Sequence, residues 1–128
     1  MKNGMKFFPN AAIGDGTLSI RFSDGSPSQS FEVGFSTIDL TAFGEVIGVE
    51  VLDWRRQLSG GVLYGPAACG QVRWSYDEEV DAFYIHLREG RGQIQMSVVC
   101  RVGLDPDRRV VLLEVPIPCL NPSEHGIR

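Results

Sequence analysis

Residues 83–87 read FYIHL, and residues 18–22 read LSIRF. In both stretches apolar side chains alternate with side chains that carry a polar group. Successive side chains of a β-strand point to opposite faces of a sheet, so each stretch predicts a strand with one apolar face. Because the two stretches lie 65 residues apart and match position by position, they also raise the question of a repeat.

The same period of two recurs along most of the chain and predicts a mainly β protein. Further alternating stretches occupy residues 31–35, 38–40, 47–51, 72–76, 94–100, 102–104 and 111–115. Between them stand short runs rich in turn-forming residues, at 24–27, 41–44, 77–81 and 105–107. Short connections of this kind favour antiparallel neighbours.

An internal duplication explains the matching patterns best. A shift of 65 aligns residues 18–35 with 83–100, and after a one-residue gap a shift of 64 aligns 38–51 with 102–115. In this alignment nearly all apolar strand positions of one copy correspond to apolar positions of the other, and Glu50 corresponds to Glu114. The alternative is that any two β-rich stretches can be brought into some agreement, but one gap over this length favours duplication.

A short repeat cannot bury its own apolar face, so the two copies should pack on each other. We therefore expect two tandem antiparallel β units of about four strands each, packed pseudo-two-fold into one sandwich- or barrel-like domain. The first repeat spans residues 1–58 and the second 71–117. A Gly/Ala-rich linker fills 59–70, with at most a helical turn at 53–58, and a Pro-containing tail at 118–128 is expected to be an edge or coil.

The composition of the chain argues against several classes of function. The chain has 128 residues and a net charge of −4, which is a poor electrostatic match to nucleic-acid phosphates. No signal-peptide pattern or membrane-length apolar run is present, so we expect a soluble, cytoplasmic protein that does not bind membranes. Three cysteines, Cys69, Cys100 and Cys119, form no CxxC pair and are expected to be reduced thiols.

Two motifs resemble a known family. Residues 74–87, WSYDEEVDAFYIHL, resemble the opening "YD…D.LYI.L" of the bacterial domain of unknown function family 2283. Residues 38–52 resemble the closing "D.G.IVGIEIL" of the same pattern. The first copy's opening, residues 7–17, lacks the Tyr-Asp pair, and the second copy's ending has Leu112 where the pattern has Gly.

The resemblance implies two tandem, divergent copies of that bacterial domain. It implies a small antiparallel sheet, often closed by a short helix. It transfers no catalytic residue to this chain, and it implies a protein partner of the small toxin-like kind.

Four residues are candidates for a binding surface: Tyr84, His86, Glu50 and Glu114. By alternation all four lie on the sheet face opposite the core. Glu50 and Glu114 would be a pair of acids lining a groove, able to act as an acid/base couple if the fold brought them together. The alternative is that they are two solvated glutamates on an exposed face, which is the usual environment of Glu.

The sequence contains few other residues in patterns typical of metal binding or catalysis. Asp77, Glu79 and Asp81 alternate as Ca²⁺ ligands can, but the remainder of a Ca²⁺ loop is missing, so we expect a charged hairpin turn. The sequence contains no nucleophile elbow, phosphate loop or HExxH helix. We therefore predict no catalytic residue, metal or cofactor.

The predicted function is a non-catalytic protein-interaction module that binds another protein through a sheet edge or the outer face. One alternative is a small-ligand or metal binder in the groove between the repeats. A second is an unrecognised enzyme that uses Glu50, Glu114 or His86. A homodimer is a further alternative for the partner.

Overall fold

The computed structural model describes residues 7–118; the expectations for Cys119, His125 and the rest of the tail lie outside this range. It contains one helix and nine strands. In chain order these are β1 (Asn10–Gly14), β2 (Thr17–Arg21), β3 (Gln29–Leu40), β4 (Val46–Leu52), α1 (Trp54–Gln57), β5 (Ala68–Cys69), β6 (Val72–Asp77), β7 (Ala82–His86), β8 (Ile94–Leu104) and β9 (Val110–Pro116).

All nine strands belong to one antiparallel sheet in the order β1-β2-β9-β8-β3-β4-β7-β6-β5. The sheet curls into a nearly closed, barrel-like shape around one apolar core. The predicted mainly β fold with a single short helix is therefore confirmed. The most completely buried side chains come from both copies and include Leu18, Ile20, Val33, Val49, Phe83, Ile85 and Leu113.

The two copies pair in repeating registers. Val49 lies opposite Ile85 where β4 meets β7, and the equivalent Leu113 lies opposite Ile20 where β9 meets β2. The same repetition holds along both pairs of strands. The equivalent strands β3 and β8 are direct antiparallel neighbours, which places a pseudo-two-fold axis between them. The duplication inferred from the sequence is thus present in the pairing of the strands.

The copies interleave within this sheet. Strand β2 pairs with β9, and β4 pairs with β7, so the outer strands of each copy complete the sheet of the other copy. The alternation in the sequence predicts which face of a strand is buried, but it does not determine the neighbouring strand. For this reason two units packed against each other were expected, whereas the structure has one continuous sheet.

A β-bulge in β3 corrects one of the sequence assignments. Residues 31–35 were expected to place Phe35 in the core, but Phe35 has φ 52° and its side chain is 67% exposed. The register between β3 and β8 shifts between Val33 and Ser36, so Ser36 takes the inward position instead. The bulge inserts one residue into the first copy, which is the physical origin of the one-residue gap between the copies.

The helical turn expected at 53–58 is confirmed as α1, and it holds the bulge in place. The Gln57 side chain donates a hydrogen bond from Nε2 to the carbonyl oxygen of Gly34 (2.8 Å). Its Oε1 accepts a hydrogen bond from the Gly34 N–H (2.6 Å). Both backbone groups exposed by the bulge therefore have a partner, as buried backbone polar groups require.

Strand β1 was not predicted, although a hairpin signal was present. Its residues, NAAIG, are small and lack the bulky alternation of the other strands. The dipeptide Asp15-Gly16 connects β1 to β2, and both residues have positive φ, as a tight hairpin turn requires. This dipeptide is the signal from which the strand could have been found.

The face assignment can be tested with two truncations to alanine. Ile85 is fully buried, so Ile85→Ala should lower the free energy of unfolding by about 2–5 kcal/mol, because the change leaves a cavity. Val99 is 53% exposed on the outer face, so Val99→Ala should change it by less than about 0.5 kcal/mol. Denaturant unfolding measures both, and equal losses would show that the faces are assigned wrongly.

Candidate functional site

The outer face of the sheet brings three of the four predicted residues together. Glu50 lies directly opposite Tyr84, and His86 lies two residues further along the same strand. Glu114 lies on the other side of the pseudo-axis, opposite Ser19. Three strand spacings separate β4 from β9, or about 14 Å at roughly 4.8 Å per strand. The two glutamates are therefore not placed to act as a couple on one small substrate.

A hydrogen-bonded cluster centres on Asp39. The Tyr84 hydroxyl donates to Asp39 Oδ2 (3.2 Å), and Gln95 Nε2 donates to Asp39 Oδ1 (2.9 Å). Burial raises the pKa of Tyr84 to about 12, and the negative charge of Asp39 adds to the effect. The phenol therefore stays protonated at neutral pH and acts as a hydrogen-bond donor. Sequence reasoning missed Asp39 and Gln95, because they come from strands distant in the chain.

Gly48 allows the Tyr84 ring to cross the sheet. A Cβ atom at Gly48 would collide with the Tyr84 hydroxyl oxygen and would lie 2.7 Å from the Ile85 carbonyl oxygen. Tyr84 comes from the second copy and Gly48 from the first. The ring covers a backbone position that would otherwise face solvent, so Tyr84 has a structural role on this face.

His86 lies beside this cluster with a side chain that is 20% exposed. Its Nε2 is buried and has no hydrogen-bond partner among the described residues. The closest acidic oxygen is Glu89 Oε2 at 3.6 Å, and this oxygen also lies 3.5 Å from Arg73. This part of the outer face therefore offers polar side chains that contact one another, whereas Glu114 lines a separate pocket of about 230 Å³ together with Glu32 and Arg101.

One end of the barrel is closed by an aromatic cluster, which we call the capped end (Phe22, Trp54, Trp74 and Phe83). The Trp54 ring stacks on Phe83 with centroids 4.2 Å apart and planes 15° apart. The carboxylate of Asp81 holds α1 above them, since its Oδ1 accepts hydrogen bonds from the Arg55 N–H (3.0 Å) and the Tyr76 hydroxyl (2.6 Å). These hydrogen bonds lower the pKa of Asp81. The acidic turn is thus a helix cap.

Among residues 7–118, no helix or aromatic cluster closes the opposite end of the barrel. By the pairing registers, Leu18 is the counterpart of Phe83, Ala11 of Trp74, and Leu87 of Phe22. The turn residue equivalent to Asp81 is Gly16, which has no side chain to cap a helix. Each replacement removes side-chain volume, so this end retains space that the aromatic rings fill at the capped end.

The space forms an apolar groove of about 660 Å³, which we call the open groove. Its apolar lining consists of Ala11, Ala12, Ile13, Leu18, Val46, Leu87 and Ile117, from both copies. An ion pair between Arg88 and Glu45 (3.2 Å) also borders it. The volume lies within the range of binding pockets. The sequence suggested a groove between the repeats as an alternative site, but these lining residues were not predicted.

Two further findings concern the described residues 7–118. No group of three or more His, Cys, Asp or Glu side chains in this range could hold a metal ion. The one helix in this range has four residues, and none there is long and apolar enough to cross a membrane.

The contact between Tyr84 and Gly48 predicts a non-additive pair of mutations. Gly48→Ala should lower the free energy of unfolding by about 1–3 kcal/mol, because the new methyl group meets the Tyr84 ring and the backbone of β7. In a Tyr84→Ala background the same change should cost less, since one of the two obstacles is gone. A double-mutant cycle by denaturant unfolding measures the coupling, and purely additive effects would contradict the contact.

The lowered pKa of Asp81 predicts a pH dependence. A carboxyl group whose pKa is lower in the folded state stabilises the fold above its unfolded pKa, about 4, and loses this effect as pH falls through the folded value. The difference in stability between the wild type and Asp81→Asn should therefore be largest near neutral pH and shrink in acid. The control, Glu79→Gln, alters a carboxylate of the same turn that accepts no hydrogen bond among residues 7–118. A difference for Asp81→Asn that does not change with pH would contradict the prediction.

Comparison with known proteins adds no relative to this picture. No protein-family model, no curated protein and no solved structure matches this chain. The resemblance to the bacterial domain family remains a prediction from the two motifs, and the function has to be argued from the geometry.

Proposed function

We propose that this protein is a non-catalytic interaction module that binds an extended segment of another protein by adding it as a strand to β1. The observation that carries the proposal is the edge of β1, which no described strand pairs and which borders the open groove. Backbone hydrogen bonds would provide affinity in this mode, and side chains that enter the groove would provide selectivity.

The two edges of the sheet differ in how well they are protected. The β5 edge has only two residues and follows Pro66 closely. The β1 edge has five residues and carries no charged side chain, and Pro9 stands directly before it. Natural proteins usually protect edges with Pro, charge or short strands, because unpaired N–H and C=O groups attract further strands. The greater length of β1 and its lack of charged side chains fit an edge that is used for binding.

The side chains of β1 connect the edge to the groove. Ala11 and Ile13 lie opposite Ile20 and Leu18, so they point to the inner face of the sheet. Ile13 is nevertheless 64% exposed, because the barrel does not close over it. A strand added to β1 would place alternate side chains on the same face, where they would cover Ile13 and enter the groove.

The outer face is the less favoured surface for this function. The Tyr84 hydroxyl is hydrogen-bonded to Asp39, and its ring covers Gly48. Glu50 and Glu114 lie on opposite sides of the pseudo-axis and form no shared site. We therefore assign the interaction to the edge and the groove, and propose no catalytic role for Glu50, Glu114 or His86.

A peptide-display selection on the immobilised full chain tests the proposal. Enriched peptides should have apolar residues at alternate positions, and their binding should protect the amides of residues 10–14 from hydrogen exchange. Ile13→Lys should weaken binding by about tenfold or more, because it places a charge at the mouth of the groove.

The matched control is Val80→Lys. Val80 is 62% exposed and lies in the β6–β7 turn, so the two variants change charge and exposed apolar surface equally. Binding should be unchanged in this variant. Selected peptides that bind Ile13→Lys as tightly as the wild type, or a selection that enriches no peptide, would contradict strand addition at β1.

A further inference from the structure

We propose that the open groove is a socket for one large aromatic side chain, of the size of an indole ring, presented by the partner's added strand. This inference rests on the proposed function, because it names the side chain that the partner segment would contribute. The two ends of the barrel pair their strands in the same registers, so each residue of one end has a counterpart at the other.

At the capped end an aromatic ring occupies the corresponding position. Trp54 stacks on Phe83, and Phe83 also contacts Phe22 and Trp74, with ring centroids 6.1 Å and 6.0 Å away. The Trp54 side chain is 2% exposed. Strands β6 and β7, together with the chain that follows β4, thus form a site that a tryptophan ring fills.

The open end repeats the strand registers of this site without its rings. Leu18, Leu87 and Ala11 replace Phe83, Phe22 and Trp74. The position that corresponds to Trp54 is Pro118, whose side chain is small and carries no aromatic ring. The strand registers are the same, and the open groove lies against Leu18, Leu87 and Ala11, the counterparts of the other three rings of the capped end, with no aromatic residue in its lining.

The chemistry of the lining favours an aromatic occupant. The walls are formed mainly by apolar side chains, and the ion pair of Arg88 and Glu45 neutralises the charges at the rim. Trp and Tyr residues anchor many protein interfaces, because one side chain buries a large apolar area with few rotatable bonds. A partner side chain that enters the groove beside Ala11 would contact the Ala11 methyl group. At the capped end the equivalent position holds the indole ring of Trp74.

Indole itself is the probe for the experiment. We expect indole to bind the full chain saturably, with a Kd on the order of 1 mM for a fragment of this size. In ¹H–¹⁵N spectra the amides of Ala11, Ile13, Leu18 and Leu87 should shift. Ala11→Trp supplies the missing ring and should weaken indole binding by about tenfold or more, whereas Ser75→Trp, on the exposed outer face of β6, should leave it unchanged.

Two further variants keep the test decisive if Ala11→Trp fails to fold. Leu87→Phe copies Phe22 and should also weaken indole binding. Trp54→Ala empties the capped end and should create a second indole site, seen as an indole-dependent rise in Tm beyond that of the wild type. That rise would establish that indole recognises this arrangement of strands.

The outcomes separate this inference from the proposed function. Absence of saturable shifts at the groove in the full chain would overturn the socket, whether residues 119–128 or a second copy covers it. Selected peptides that depend on Ile13 but are unaffected by Ala11→Trp and Leu87→Phe would overturn the socket and leave strand addition in place. Indole binding at the groove without any selected peptide would support the socket and contradict strand addition.

Discussion

The pairing of β3 with β8 is the interaction on which the rest of the fold depends. It joins ten residue pairs along the two longest strands and places equivalent strands of the two copies side by side. Every other strand is attached on one side or the other of this central pair. Because β3 and β8 come from different copies, neither copy can assemble the centre of the sheet alone, and the shared core follows from this pairing.

The two halves built outward from that pair have diverged in different ways. The half formed by β4, β7 and β6 has the aromatic cluster, the capping carboxylate of Asp81 and the contact of Tyr84 with Gly48. The half formed by β9, β2 and β1 has Leu18 and Ala11 at the positions of Phe83 and Trp74, and it borders the open groove together with Val46 and Leu87 of the first half. A capped half that maintains the fold leaves the other half free to change its surface, as a duplicated unit allows.

The sequence was informative about strands and faces because both depend on local patterns. Alternation located β2, β4, β6, β7 and β9, and the inward positions of Ile85 and Val33 were assigned correctly. Alternation carries no information about which strand lies next to which, so the interleaving could not be deduced. Phe35 was assigned to the core because a bulge reverses the face without changing the local composition.

The candidate site was harder to predict than the fold, because the groove forms where large side chains are absent. Tyr84, His86, Glu50 and Glu114 are visible as chemistry-bearing residues, and the structure places all of them on the outer face, as the alternation indicated. The groove arises from Ala11, Leu18 and Leu87, which look like ordinary apolar residues in a sequence. Alignment of the two copies shows that aromatic rings occupy the equivalent positions. The strand registers in the structure are needed to place these positions at the two ends of the barrel.

The interleaved strand order has a consequence for how the chain is made. Strand β2 ends at residue 21, but its neighbour β9 begins at residue 110. During translation the β1–β2 hairpin therefore leaves the ribosome long before β9, the strand that pairs with β2. Until β9 emerges, both edges of the hairpin are unpaired. Pairings so distant in sequence close slowly, and unpaired strand edges in incomplete chains promote aggregation. Until β9, which ends at Pro116, has been translated, the hairpin edge that it covers stays open to contacts with other chains.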